Sequence, residues 1–247
     1  KQTSYRKISA CLAAAGLILL GSASAARAAA PALNGNLTLR PLSAVDVSTY
    51  GLPSTSELSG GLNTVGVGTA VYLEAEVNIA IPSSDITSVT WALTAKPVGS
   101  TAVLTTGPLG LNMPIYEPST RLVAQVAGRQ LLRPDMVGQY TVTATITTAS
   151  EGTTNVSQTI TAGTYMGVQT CALCHSGGII AEDKYTTWSQ TLHSHIFTDE
   201  INGLLTVRQS GLQCHTTGFS ANTNVMDGGF SALQLQPGWT IPTVLTN

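Results

Sequence analysis

Cys171, Cys174 and His175 are the residues of this chain best placed to do chemistry. The run Cys171-Ala172-Leu173-Cys174-His175 has the C-x-x-C-H spacing of covalent c-type haem attachment. The two thiols, one helical turn apart, can each form a thioether to a haem vinyl group. The adjacent imidazole then faces the iron. All four histidines (His175, His193, His195, His215) and three of the four cysteines (Cys171, Cys174, Cys214) fall between positions 171 and 215. The 170 residues before them hold no histidine and one cysteine, Cys11. Redox or metal chemistry is therefore confined to the C-terminal third.

Gly211-Leu212-Gln213-Cys214-His215 ends as a haem motif ends, with glycine where the first cysteine would stand. A single thioether from Cys214, with His215 as ligand, would hold a second haem less securely. A site that has lost its haem and kept a free thiol is the alternative. Other chemistries use the same residues. A zinc ion needs four ligands, and Cys171, Cys174, Cys214 and either His193 or His195 would supply them. A thioredoxin-like redox pair wants a βαβ setting that the pattern lacks. A Cys171–Cys174 disulfide is open to an exported chain. Export and the spare histidines favour haem. Met166 and Met226 are weaker candidates for a distal iron ligand, because histidines are available nearby.

The elements that must position these residues follow from periodicity. Thr170 is placed to cap a short helix carrying the C-x-x-C-H. From Glu182 to about Leu205, Tyr185, Trp188, Leu192, His195 and Ile196 recur at helical spacing. On such a helix His193 and His195, two apart, face nearly opposite ways. By periodicity His195 shares the face of Trp188, Leu192 and Ile196. Tyr185, Trp188 and Phe219 are expected to pack on porphyrin or to form a minimal core. Beyond Gly218 the chain reads as loop.

Upstream, residues 32–165 read as strands. Val71, Leu73, Ala75, Val77, Ile79 and Ile81 alternate with Tyr72, Glu74, Glu76 and Asn78, a half-buried strand whose glutamates face water. Val89, Trp91 and Leu93 repeat the pattern. Ala102–Leu104, Leu122–Ala124, Tyr140 to Ile146 and 153–162 supply further strands. Pro82-Ser83-Ser84-Asp85, Gly107-Pro108 and Pro134-Asp135 mark turns between them. About seven short strands at this spacing predict an antiparallel sandwich, with no catalytic constellation of its own. Trp91 is expected in its core, and Tyr140, after the Pro134-Asp135 turn, at a tyrosine corner.

Residues 1–28 read as a signal peptide: Lys1, Arg6 and Lys7, then the apolar Ala10 to Leu20, then Ala23-Ser24-Ala25 and Ala26-Arg27-Ala28 as cleavage sites. The apolar run is shorter than the roughly 20 residues of a membrane span. Cys11 stands at the start of that run, where a lipoprotein cysteine would follow it. Of the 11 basic side chains, Lys1, Arg6, Lys7 and Arg27 leave with this segment. Seven remain against 13 acidic, a formal charge of −6. That balance argues against nucleic acid or an anionic membrane surface as partner.

Two resemblances add to this reading. Trp91-Ala92-Leu93-x-x-Lys96-Pro97-x-Gly99-Ser100, with the Pro134 to Tyr140 corner, resembles PKD and related immunoglobulin-like domains of bacterial exported proteins, over roughly residues 65–163. Such domains act as spacers or binding modules. Cys-x-x-Cys-His, then Trp188-x-x-Thr191-x-His193, then Cys214-His215-Thr216-Thr217-Gly218-Phe219 resembles the multihaem cytochromes c of the cytochrome c554 type, over roughly residues 168–240. That resemblance implies His193 as a distal axial ligand, with His195 the competing choice or the ligand of another haem. It also implies one haem per motif, and more motifs than this chain holds. Gly211 departs from the pattern.

The expected architecture is mainly β: a signal peptide at 1–28, an antiparallel Ig/PKD-like β-sandwich at 32–165, and a small, helical and loop-rich c-type haem module at 168–247. The expected function is electron transfer in the periplasm or outside the cell, through haem c with bis-histidine ligation. Cys171, Cys174 and Cys214 attach haem and His175, His193, His195 and His215 supply iron ligands. The partners are redox proteins and other haem domains. Two other classes remain: an adhesion or ligand-binding sandwich with a zinc- or disulfide-stapled tail, and a haem enzyme acting on a small nitrogen or sulfur compound.

Overall fold

A computed structural model describes residues 32–110, 124–205, 216–220, 222 and 224–240. The segment read as a signal peptide, and Gly211, Cys214 and His215, lie outside them. Among the described residues, eight strands form two sheets. The first has the order β1-β3-β6-β5, from Gly35–Arg40, Val71–Asn78, Ala124–Leu132 and Leu104–Thr105. The second has the order β2-β8-β7-β4, from Thr64–Gly66, Gly152–Gly163, Gly138–Thr148 and Ile86–Ala95. All pairings are antiparallel except that of β2 with β8. Helices follow: α1 (Ala44–Thr49) lies early in the chain, and α2 (Val168–His175), α3 (Tyr185–Ser189), α4 (Leu192–Ile201) and α5 (Phe230–Gln234) cluster toward the C-terminus. None of the helices among the described residues is long and apolar enough to cross a membrane.

The period of two builds the core. Leu37, Val71, Leu73, Ala75 and Val77 from the first sheet meet Tyr140, Val142, Ala144, Ile146, Ile160 and Ala162 from the second in one buried cluster. Alternate residues of each strand point the other way. On β7 and β8 those are hydroxyls and amides, paired across the strands as Thr141–Thr159, Thr143–Ser157 and Thr145–Asn155.

Tyr140 is fully buried, and its hydroxyl closes the turn before it. The O–H lies 2.9 Å from Asp135 Oδ1 and 3.0 Å from the Met136 carbonyl, either of which accepts it, while the Met136 N–H donates to it at 3.0 Å. Trp91 differs from expectation. It is half-buried on the edge strand β4, packed against the core rather than within it. Its indole covers Gly128 of β6, where a Cβ would come within 3.4 Å of Nε1 and 3.1 Å of Val89.

The glutamates of β3 overturn the half-buried reading. Glu74 and Glu76 are buried, and so is every β3 residue before Asn78. The outer face of this sheet is covered by the chain around α1 and by residues near Leu109. Leu42, Ala70, Tyr72 and Leu109 form a second buried cluster there, with Val47, Leu52 and Leu131 against it. Buried carboxylates require partners. Glu74 takes Arg40 at 2.9 Å and Arg129 at 3.4 Å; Glu76 accepts from the Thr38 hydroxyl at 2.5 Å. Burial lowers the pKa of the Arg129 guanidinium, and Glu74 opposes that shift. The Tyr72 O–H donates to the Glu57 carbonyl at 2.8 Å, and burial, with the Glu57 carboxylate, pushes its pKa up to about 12.

Past Thr216 the chain returns to the β-domain. The Asn222 amide accepts from the Leu58 N–H and donates to the Leu58 carbonyl, each at 2.9 Å. Asn224 donates to Glu57, which also holds Arg133. The Met226 N–H donates to the Val67 carbonyl at 2.9 Å, and the Tyr165 N–H to the Asp227 carbonyl at 2.5 Å. Gly68, at φ +86°, lies so close that a Cβ there would sit 2.1 Å from the Asn224 carbonyl oxygen. Only glycine satisfies both that approach and that φ.

Candidate haem-attachment site

Helix α2 carries Cys171, Cys174 and His175 at i, i+3 and i+4, so the three share one stripe of its surface. Both cysteines are exposed and unbonded to each other. Gly167, not Thr170, is the N-cap; the helix begins a turn earlier than expected, and the Thr170 N–H already donates to the Gly167 carbonyl at 2.9 Å. Ser176 ends the helix, its N–H and hydroxyl both donating to the Ala172 carbonyl.

The loop after α2 folds back onto it. Gly177 and Gly178 take φ of +79° and +69°, the left-handed region that favours glycine. The Ala181 N–H donates to the Cys174 carbonyl at 3.2 Å. The Asp183 carboxylate accepts from the Gly177 N–H at 3.0 Å on one side, and from the Thr186 N–H and hydroxyl at 2.9 and 2.8 Å on the other. Those donors, Thr186 N–H first, hold its pKa below the ordinary carboxylate value.

The fold-back brings the Glu182 carbonyl to 3.2 Å from His175 Nδ1. A carbonyl only accepts, so Nδ1 is the donor in this bond, and in the neutral ring that tautomer leaves the lone pair on Nε2. None of this loop geometry was anticipated from the sequence. Two adjacent glycines followed by Asp183 were the available signal for a turn.

The helical period over 182–205 resolves into two helices, with a break at Gln190 and Thr191. Side chains take up the carbonyls freed there. The Thr191 hydroxyl donates to Trp188, and Ser194 to Ser189 and Thr191. His195 joins them: its Nε2 lies 2.9 Å from the Ser189 carbonyl, so Nε2 bears the proton. His193, two residues away on the same helix, presents an exposed ring on nearly the opposite face.

Phe219 enters a small aromatic cluster, the minimal-core alternative of its expected setting. It stacks on Phe230 at 6.5 Å, and Phe230 meets Phe197 and Trp239 edge-on, each at 5.8 Å. Tyr185 and Trp188 instead pair with each other at 5.9 Å beside α2, with Gln169 donating to the Tyr185 hydroxyl at 3.5 Å. Around the cysteine stripe the apolar side chains are exposed: Leu173 at 75%, Ile179 at 92%, Ile180 and Leu192 as well. Neither α2 nor α3 buries a residue, and α4 buries only Glu200. Helices of five to ten residues rarely persist without an apolar surface to pack on.

Among the described residues no group of three or more His, Cys, Asp or Glu draws together into a metal-binding cluster. Cys214, the fourth ligand of the zinc alternative, lies outside them. No protein-family model matches the chain, and neither does any curated protein.

Proposed function

We propose that this chain is an exported electron carrier, a c-type cytochrome in which an Ig/PKD-like sandwich supports a haem module of the cytochrome c554 type. The observation that carries the reading is the arrangement on α2. Cys171, Cys174 and His175 share one exposed stripe, and the proton on His175 Nδ1 is committed to the Glu182 carbonyl, so Nε2 has its lone pair to offer. The donors fit a covalently attached haem: free thiols at thioether spacing and an imidazole in the ligating tautomer. The unburied apolar side chains Leu173, Ile179, Ile180 and Leu192 fit it too, since a porphyrin gives them the apolar partner the helices lack.

Haem, when bound, supplies reversible one-electron chemistry at its iron. The residues of this chain hold it and set its ligation. Cys171 and Cys174 anchor it, and His175 is the proximal ligand. His193 would be the second histidine to hold the haem, since His195 Nε2 is bonded to the Ser189 carbonyl at the break between α3 and α4. Held by two histidines, the haem would supply electron transfer rather than substrate chemistry. Cys214 and His215 hold a second haem through one thioether. Residues 1–28 direct export, and the partners are redox proteins of the periplasm or cell surface.

The test is expression beside cytochrome c maturation machinery, followed by haem staining after denaturing electrophoresis and intact-mass measurement. A haem adduct on Cys171 and Cys174 is expected, with a second on Cys214. A chain that matures without any haem mass overturns the reading. A Cys214→Ala variant that keeps the full haem mass removes the single-thioether site alone.

A further inference from the structure

We infer that Asp183 is the positioning residue of the proximal ligand: by clamping Gly177 to Thr186 it holds the Glu182 carbonyl against His175 Nδ1. The inference rests on the haem reading above and deepens it. Asp183 touches neither thiol nor imidazole in the described contacts. Its carboxylate bridges the turn at Gly177, just after α2, and the first turn of α3. Between those two grips the chain has one further tie to α2, the Ala181 N–H on the Cys174 carbonyl. Glu182 stands between Ala181 and Asp183, so its carbonyl direction is fixed from both sides. The Glu182 side chain plays no part in this; it pairs with Lys184 at the surface.

The chemical consequence concerns the electron density of the imidazole. A hydrogen bond given by Nδ1 fixes the tautomer and makes Nε2 a stronger donor. A stronger donor favours the ferric over the ferrous iron and lowers the potential. Without the clamp the Glu182 carbonyl is free to turn to water, the imidazole loses its fixed acceptor, and the potential rises.

Two variants open the clamp from opposite ends. Asp183→Ala removes both grips. Gly177→Ala removes no charge but strains a residue at φ +79°. Each is expected to raise the potential by the equivalent of roughly tenfold in the oxidised-to-reduced ratio, about 59 mV for one electron. Gly177→Asn, which tolerates the left-handed region better, is expected to lie closer to the parent. Glu182→Gln removes one negative charge from the neighbouring position and leaves the clamp intact, so the Asp183→Ala shift must exceed it.

A second readout needs no haem. In the haem-free chain, 15N NMR of the His175 ring reports the tautomer: Nδ1–H is expected to dominate in the parent and to give way to Nε2–H in both clamp variants. Unchanged potential and unchanged tautomer in Asp183→Ala and Gly177→Ala overturn the inference. If the parent acquires no haem, the cytochrome reading fails, and the tautomer measurement alone decides whether Asp183 positions His175.

Discussion

Phe197 of α4 meets Phe230 of α5 edge-on, with ring centroids 5.8 Å apart. Through that contact the helix bearing His193 and His195 is fastened to the segment that docks on the β-domain. Phe230 is the buried hub, touching Phe197, Phe219 and Trp239. Phe230→Ala is expected to cost about 3–5 kcal/mol, the range for removing a buried aromatic. Urea unfolding followed by circular dichroism checks it. An early loss of helix signal, with the strand signal retained, is the expected pattern; Phe197→Ala should show a smaller effect, because Phe197 is only half-buried.

The two histidines of α4 should separate cleanly in the haem-loaded protein. His193→Ala is expected to convert the α2 haem from low-spin to high-spin, read from its visible spectrum. His195→Ala should keep the low-spin spectrum and lose helix stability, because it removes the bond to the Ser189 carbonyl. The reverse result would make His195 the distal ligand.

Glu74 lies between two buried guanidinium groups. Glu74→Ala leaves Arg40 and Arg129 facing each other without their shared carboxylate, and is expected to destabilise the fold by about 3–5 kcal/mol. Denaturant midpoints for the parent and the variant test this. A change under about 1 kcal/mol, the range of exposed ion pairs, would place the cluster in water.

Asp135 gives the acid side of the stability profile. Burial pushes its carboxyl up, but the bonds from Ser100, Thr101 and Tyr140 outweigh burial and hold it well below the ordinary value. A lowered folded-state pKa stabilises the fold above the unfolded value of about 3.9 and is lost as pH falls toward the folded one. Thermal midpoints of the parent should therefore fall below about pH 4. In Asp135→Asn that part of the decline should be absent, and the variant should be less stable at neutral pH.

The strands were legible where one face met the core and the other met water. Tyr140 to Ile146 and residues 153–162 alternate apolar with hydroxyl, and became β7 and β8. Val71 to Asn78 alternates as well and became β3, but its charged face is roofed over by the chain around α1 and near Leu109. Local periodicity carries no information on what will cover a face, so Glu74 and Glu76 read as solvated. β1 and β2 escaped notice; β2 is only three residues long and owes its strand form to β8. In the candidate site, the placing of Cys171, Cys174 and His175 on one short helix was legible from their i, i+3, i+4 spacing. The carbonyl of Glu182 was not, because a backbone group leaves no mark on residue type.

The short bond between Tyr165 and Asp227 sets two distant points of the chain side by side. Among the described residues, the chain leaves the β-domain after Tyr165 and is bonded to it again by Asn222. A stretch held to the β-domain at both ends moves less freely than a domain on a single tether. The same closure makes the β-domain a socket: a different loop, grafted between Tyr165 and Asp227, would inherit two footings already in register.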